Sequence, residues 1–153
     1  MKKILYTEKA VEHDVREMIS DIRHDKYEPE IVIGIGRGGV IPGFMFSYKM
    51  KLPFEVVTWQ TRDGNIKDEQ KIVNLLSKYN RILIVDDIND SGKTFLEIQT
   101  LLNCFVTEKH DIRTAALIHN MDSVYTVRYA GFVIHKDNDM WIDFYWEDYD
   151  GKL

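Results

Sequence analysis

The sequence predicts an α/β fold: a twisted, mainly parallel sheet flanked by helices. Three observations carry that prediction. Short apolar runs recur at residues 31–35, 82–85 and 115–118, the pattern of strands buried on both faces. Stretches with apolar residues every three to four positions lie between them. Two loops, one of glycines and one of acidic and small polar residues, leave the ends of two of those runs. Strands alternating with helices imply parallel pairing, and ligands of such folds bind at the carboxyl edge of the sheet.

The elements follow in order. Glu8 to Lys26 reads as an amphipathic helix, with Val11, Val15, Met18, Ile19 and Ile22 on one stripe and Thr7 as N-cap. Ile31 to Gly36 reads as a buried strand, Val40 to Met50 as a helix and Phe54 to Trp59 as a second strand. Gln60 to Lys67, polar and containing Asp63-Gly64-Asn65, reads as a mobile loop. Asp68 to Tyr79 looks helical, Arg81 to Val85 is a third strand, and Gly92 to about Val106 is the next helix. Arg113 to Ile118 and Gly131 to Ile134 complete the expected sheet.

Bulk properties narrow the function. A chain of 153 residues fits one domain with its own core. The net charge of -5 argues against broad binding to nucleic acid or to anionic membranes. The single cysteine, Cys104, can form no internal disulfide and fits a cytoplasmic setting. The first residues hold no apolar run long enough for a signal peptide or a membrane span.

The most informative run is Ile82-Leu83-Ile84-Val85-Asp86-Asp87-Ile88-Asn89-Asp90-Ser91-Gly92-Lys93-Thr94. An apolar strand delivers two adjacent carboxylates to the sheet edge, and a small polar turn opens the next helix. Free N–H groups and the dipole at a helix N-terminus favour a phosphate. Ser91 and Thr94 add hydroxyls, Gly92 allows close backbone approach, and Lys93 adds charge. The carboxylates can accept from sugar hydroxyls or hold Mg²⁺. Carboxylates directly before a phosphate cradle suit ribose 5-phosphate. The bland alternative has Asp90 as a helix cap and Asp86-Asp87 as solvated turn residues.

This run resembles the signature of the type I phosphoribosyltransferases, and its Asp-Ser-Gly-Lys-Thr version is most similar to their 6-oxopurine branch. The resemblance implies that Asp86 and Asp87 bind the ribose hydroxyls of phosphoribosyl pyrophosphate together with Mg²⁺. It implies that Asp90, Ser91, Gly92, Lys93 and Thr94 hold the 5-phosphate, and that Asp90 acts near purine N7 as a general acid/base. It also implies a small hood, mainly from about 136–153, on one phosphoribosyltransferase domain spanning 1–153, and a homodimer or homotetramer.

Gly34-Ile35-Gly36-Arg37-Gly38-Gly39 has two readings. It fits the dinucleotide fingerprint G-x-G-x-x-G, with Glu55 as a candidate ribose-binding acid, although that leaves the second loop unexplained. It also resembles the pyrophosphate loop of the xanthine-guanine enzymes. In that reading Gly36, Arg37, Gly38 and Gly39 bind pyrophosphate, Arg37 stabilises it as it leaves, and a cis peptide is expected at Gly36–Arg37. A P-loop is excluded, because the glycine that motif needs five positions before Gly92 is Asp87.

Trp141-Ile142-Asp143-Phe144-Tyr145-Trp146-Glu147 is aromatic and acidic together. It reads either as a C-terminal strand packed on the core or as a base-binding hood. Its resemblance to the Trp-Ile-x-x-x-Trp stretch of bacterial xanthine-guanine enzymes implies stacking by Trp141, main-chain contacts from Ile142 and approach of Asp143 to Mg²⁺-bound water. One departure stands out. The 6-oxopurine enzymes read O6 of the base with a Lys after the signature helix, and the matching position here is His119. His119 is therefore expected in the base site. The implied reaction transfers ribose 5-phosphate from phosphoribosyl pyrophosphate to a purine base. A transferase for another base and a non-catalytic nucleotide sensor are the alternatives.

Overall fold

The structure is a computed structural model that describes residues 2–61, 64–137 and 139–147. Five strands form one sheet: β2 (Ile31–Ile35), β3 (Phe54–Val57), β4 (Arg81–Asn89), β5 (Asp111–Asn120) and β6 (Tyr129–Ile134). Their order is β3-β2-β4-β5-β6, and every neighbouring pair is parallel. The sheet core obeys the period of two. Val32, Leu83, Val85, Ala115 and Leu117 enter one apolar cluster, with Val11, Val15, Met18 and Ile22 of α1 (Glu8–His24) and Phe46 of α2 (Val40–Met50). Ile31, Ile33, Ile35, Ile82 and Ile84 face the other way. There they meet Ile72, Leu75 and Leu76 of α3 (Glu69–Lys78) and Phe95, Ile98 and Leu102 of α4 (Lys93–Asn103). Both faces are covered, which is why these strands are apolar runs and not alternating ones.

The chain moves from β2 outward to β3, then crosses back to β4 on the other side of β2. Between β2 and β4 the connections leave for opposite faces, which opens a crevice at the carboxyl edge. Thr7 caps α1 as expected, accepting from the Ala10 N–H at 3.2 Å. Several elements differ in extent. β4 runs four residues past Val85, so Asp86 and Asp87 belong to the strand, because parallel pairing with β5 continues through Asn89. β3 stops at Val57, where the chain turns toward the Trp59–Lys67 bridge.

Two strands lie outside that sheet. β1 (Lys2–Tyr6), for which the sequence offers little strand signal, pairs in parallel with β7 (Met140–Phe144) in a separate two-stranded sheet. Its register sets Lys2 against Met140 and Tyr6 against Phe144. Tyr6 seats this unit on α1 through a hydrogen bond to Asp14 and an edge contact with Phe144. The two ends of the chain thus build one small layer over the sheet edge. No helix among the described residues is long and apolar enough to cross a membrane.

Candidate functional site

A cleft of about 310 Å³ opens at the carboxyl edge. β4 and the start of α4 line one wall with Asp86 to Phe95. Lys136, Trp141, Ile142, Phe144 and Glu147 line the facing side, and Thr61 sits at the rim.

Asp86 and Asp87 point their backbone and side chains into a tight self-bonded pair. The Asp87 N–H donates to Asp86 Oδ1 at 2.9 Å, and the Ile88 N–H donates to Asp87 Oδ1 at 2.7 Å. Burial, then the neighbouring Asp87 charge, hold the Asp86 carboxyl well above the usual carboxylate range. Burial also raises Asp87, and the negative charge of Glu147 across the cleft adds to it.

The following loop is a ready anion cradle. Among the described residues, the N–H groups of Ser91, Gly92 and Thr94 donate to no backbone carbonyl, as befits the first turn of a helix. Gly92 sits at φ 85°, and a Cβ there would lie 2.3 Å from Ser123 Oγ, so residue 92 must be glycine. The loop is buttressed from β5's far end, where the Val124 N–H donates to Ser91 O at 3.0 Å. Ser91 and Lys93 are exposed at the cradle, and Thr94 is half-buried.

The glycine loop borders this cleft without lining it. A Cβ on Gly38 would lie 2.5 Å from Asp87 Oδ2, and one on Gly39 would lie 2.6 Å from Val85 O. Gly36, at φ 56°, donates to Val57 O at 2.7 Å, while the amides of Arg37 and Gly38 meet no backbone acceptor among the described residues. Arg37 is exposed. The expected cis peptide at Gly36–Arg37 is absent: every described peptide is trans, and the left-handed turn at Gly36 redirects the chain. Glu55, the acid that a dinucleotide reading requires, is ion-paired with Lys71 of α3 at 3.0 Å.

The base end departs from expectation at two residues. His119 does not line the cleft. Its Nδ1 lies 2.9 Å from Asn89 Nδ2, because β4–β5 register sets His119 opposite Asn89. Burial lowers its pKa, which favours the neutral ring. Asp143 also faces elsewhere. Strand alternation separates it from Ile142 and Phe144, and it pairs with Lys3 of β1 at 3.4 Å. In this structure Asp143 therefore stands apart from Asp86 and Asp87, the other two residues expected at the metal.

Lys136 is the residue that sequence reading missed. It follows β6, and its Nζ lies 2.5 Å from Asp90 Oδ2 inside the cleft. A lone Lys among polar residues carries no periodic signal; only the position of the β6 end beside the β4 loop gives it meaning. Trp141 is 51% exposed on the facing wall, while Ile142 and Phe144 are buried beneath it. Glu147 was likewise unassigned, and its carboxylate accepts from the Phe144 N–H at 3.2 Å.

The loop over the rim has a fixed base. The Gln60 N–H donates to Ile66 O, and Trp59 pairs with Lys67. Trp59 is 7% exposed, with Nε1 donating to Glu97 of α4 at 2.9 Å. Arg62 and Asp63 of this loop lie outside the described residues.

A parallel sheet with a carboxylate pair, a free helix N-terminus and a cation at its carboxyl edge defines a protein class that binds phosphorylated ligands there. The phosphoribosyl transferase domain model matches residues 1–148, and the chain belongs to that family. Its fold and family are those of a pentosyl-transferring enzyme. A purine phosphoribosyltransferase from Pyrococcus horikoshii is 24% identical, with a TM-score of 0.72 over 95% of this chain and 94% of that one. The xanthine-guanine-hypoxanthine phosphoribosyltransferase of Helicobacter pylori is 23% identical, with a TM-score of 0.71 over the same shares. A Neisseria gonorrhoeae protein with bound ppGpp is 21% identical, with a TM-score of 0.73 over 97% of this chain and 91% of that one.

Proposed function

We propose that this protein transfers ribose 5-phosphate from phosphoribosyl pyrophosphate to a 6-oxopurine base, releasing pyrophosphate. The observation that carries the reading is the Asp86–Asp87 pair running directly into the free amides of Ser91, Gly92 and Thr94, with the Asp90–Lys136 pair beside them.

The cradle from Asp90 to Thr94 takes the 5-phosphate, and the carboxylates of Asp86 and Asp87 accept from the ribose hydroxyls. Arg37 and the Arg37 and Gly38 amides face the pyrophosphate. A purine nitrogen attacks C1, the C1–O bond to pyrophosphate breaks, and the proton lost by the base passes to Asp90. Trp141 stacks on the base. Lys136, in place of His119, donates to the exocyclic oxygen, which an ammonium can do and the exocyclic amine of adenine cannot accept. Positioning and charge account for the rate.

Mg²⁺ is the proposed cofactor. Asp86 and Asp87 fit it, because two adjacent carboxyl groups lining the cleft are the oxygen donors that Mg²⁺ takes together with substrate oxygens, and a cation there would offset the burial that opposes their ionisation. Bound there, it would supply the positive charge that lets two carboxylates and a pyrophosphate share one site.

Calorimetric titration with phosphoribosyl pyrophosphate and Mg²⁺, followed by a panel of bases, tests this reading. No binding, or binding that survives Asp86→Asn with Asp87→Asn, overturns it. A nucleotide sensor on the same fold is the second reading, supported by the ppGpp bound to the Neisseria protein. Turnover of any base removes that one.

A further inference from the structure

Asn120 ends β5 and is 7% exposed. Its Nδ2 donates to Asp90 Oδ1 at 3.1 Å and to the Asp90 carbonyl at 3.3 Å. Its Oδ1 accepts from the Lys136 N–H at 3.2 Å and from the Asp122 N–H at 3.3 Å. One carboxamide thus grips the loop after β4 with its donor end and the segment after β6 with its acceptor end. The surrounding turn is itself secured, since the Met121 N–H donates to Ile134 O and the Ser123 N–H to Asn120 O.

Asp90 and Lys136 are 46 positions apart, on two separate loops. Neither loop has regular structure to hold its side chain in register with the other. We propose that Asn120 is a positioning residue, which fixes the spacing and orientation of the Asp90–Lys136 pair that meets the base; this rests on the function proposed above. The geometry requires an amide. A carboxylate at 120 would set oxygen against Asp90 Oδ1, and an aliphatic side chain would leave a partly buried carbonyl and two N–H groups without their partner. Asn120 does not line the cleft and acts through the two side chains it aligns.

The prediction separates base handling from phosphoribosyl binding. In Asn120→Ala, kcat/KM for hypoxanthine falls by about tenfold or more, the range expected when reacting groups drift by part of an ångström. Asn120→Asp, which keeps the volume, falls further because it faces Asp90 with like charge. Phosphoribosyl pyrophosphate affinity falls far less than the base kinetics in both variants, within about threefold, because Val124 still holds the Ser91 end of the cradle, and that retained binding certifies their folding. A general structural role would weaken both ligands together. Hypoxanthine kinetics within twofold of wild type in both variants would overturn the proposal, as would an equal loss of phosphoribosyl pyrophosphate affinity. If the wild-type protein turned over no base, the proposed function would fall instead. Asn120 would then be judged by GMP affinity, which Asn120→Ala lowers about tenfold if the residue aligns the pair and leaves unchanged if it does not.

Discussion

Replacing Asp86 with Asn should make the free protein more stable while ending its affinity for phosphoribosyl pyrophosphate. Asn keeps the shape and the acceptor for the Asp87 N–H, and removes a carboxylate whose ionisation burial and Asp87 oppose. The sign follows from linkage. A carboxyl raised in the folded state binds its proton more tightly there than in the unfolded chain. Its stability is therefore complete below the unfolded pKa near 4 and is lost as pH rises through the folded value. The gain from Asn should be near zero at acid pH and largest at pH 8. Partial exposure at the cleft mouth screens the effect, so the gain is on the order of 1–2 kcal/mol and not the full burial cost. For a chain of this size that raises Tm by about 3–8 °C. Thermal unfolding of both proteins from acid pH to pH 8, with and without Mg²⁺ and phosphoribosyl pyrophosphate, measures it. Saturating ligand should stabilise wild type by about 2.7 kcal/mol at a hundred times Kd and the variant not at all. A variant no more stable than wild type at pH 8, or a gain that grows toward acid pH, would refute the reasoning.

Other outcomes follow from the same geometry. Lys136→Met should lower kcat/KM for hypoxanthine and guanine by about 10–100-fold, a charged hydrogen bond's worth, whereas His119→Ala should change it less than threefold; steady-state rates decide. Gly92→Ala forces a side chain into φ 85° and onto Ser123 Oγ, so it should cost about 2 kcal/mol or more by denaturant titration and abolish 5-phosphate binding. Gly38→Ala drives a Cβ against Asp87 Oδ2 and should weaken pyrophosphate inhibition at least tenfold in product-inhibition assays. Glu97→Gln removes a carboxylate that the Trp59 indole N–H and Lys67 hold below its ordinary pKa. That stability is present above the unfolded pKa and lost as pH falls through the lower folded one, so the variant's deficit in Tm should appear at pH 7 and vanish at strongly acid pH.

Residues local in sequence were the legible ones. Ile82 to Thr94 announces a strand, a carboxylate pair and a helix start, because a strand and a helix N-terminus are short-range structures with short-range signals. The central sheet was equally readable, since strands covered on both faces must be unbroken apolar runs. Everything that joins distant segments was decided by packing. The pairing of Lys2–Tyr6 with Met140–Phe144 depends on strands 138 register positions apart, and an edge pair needs no long apolar run. His119 occupies the position where a base-reading lysine was expected, yet strand register turns it onto Asn89. Lys136 reaches Asp90 only because β6 lies beside β5, and Asn120 can bridge the two only because β5 ends between them. The Asp86-Asp87 pair and the small polar turn that opens α4 could be read from the chain alone, because adjacent carboxylates and a helix start are set by neighbours in sequence. Which side chains share the cleft with them was left to tertiary structure, because that depends on the relative placement of the loops after β4, β5 and β6.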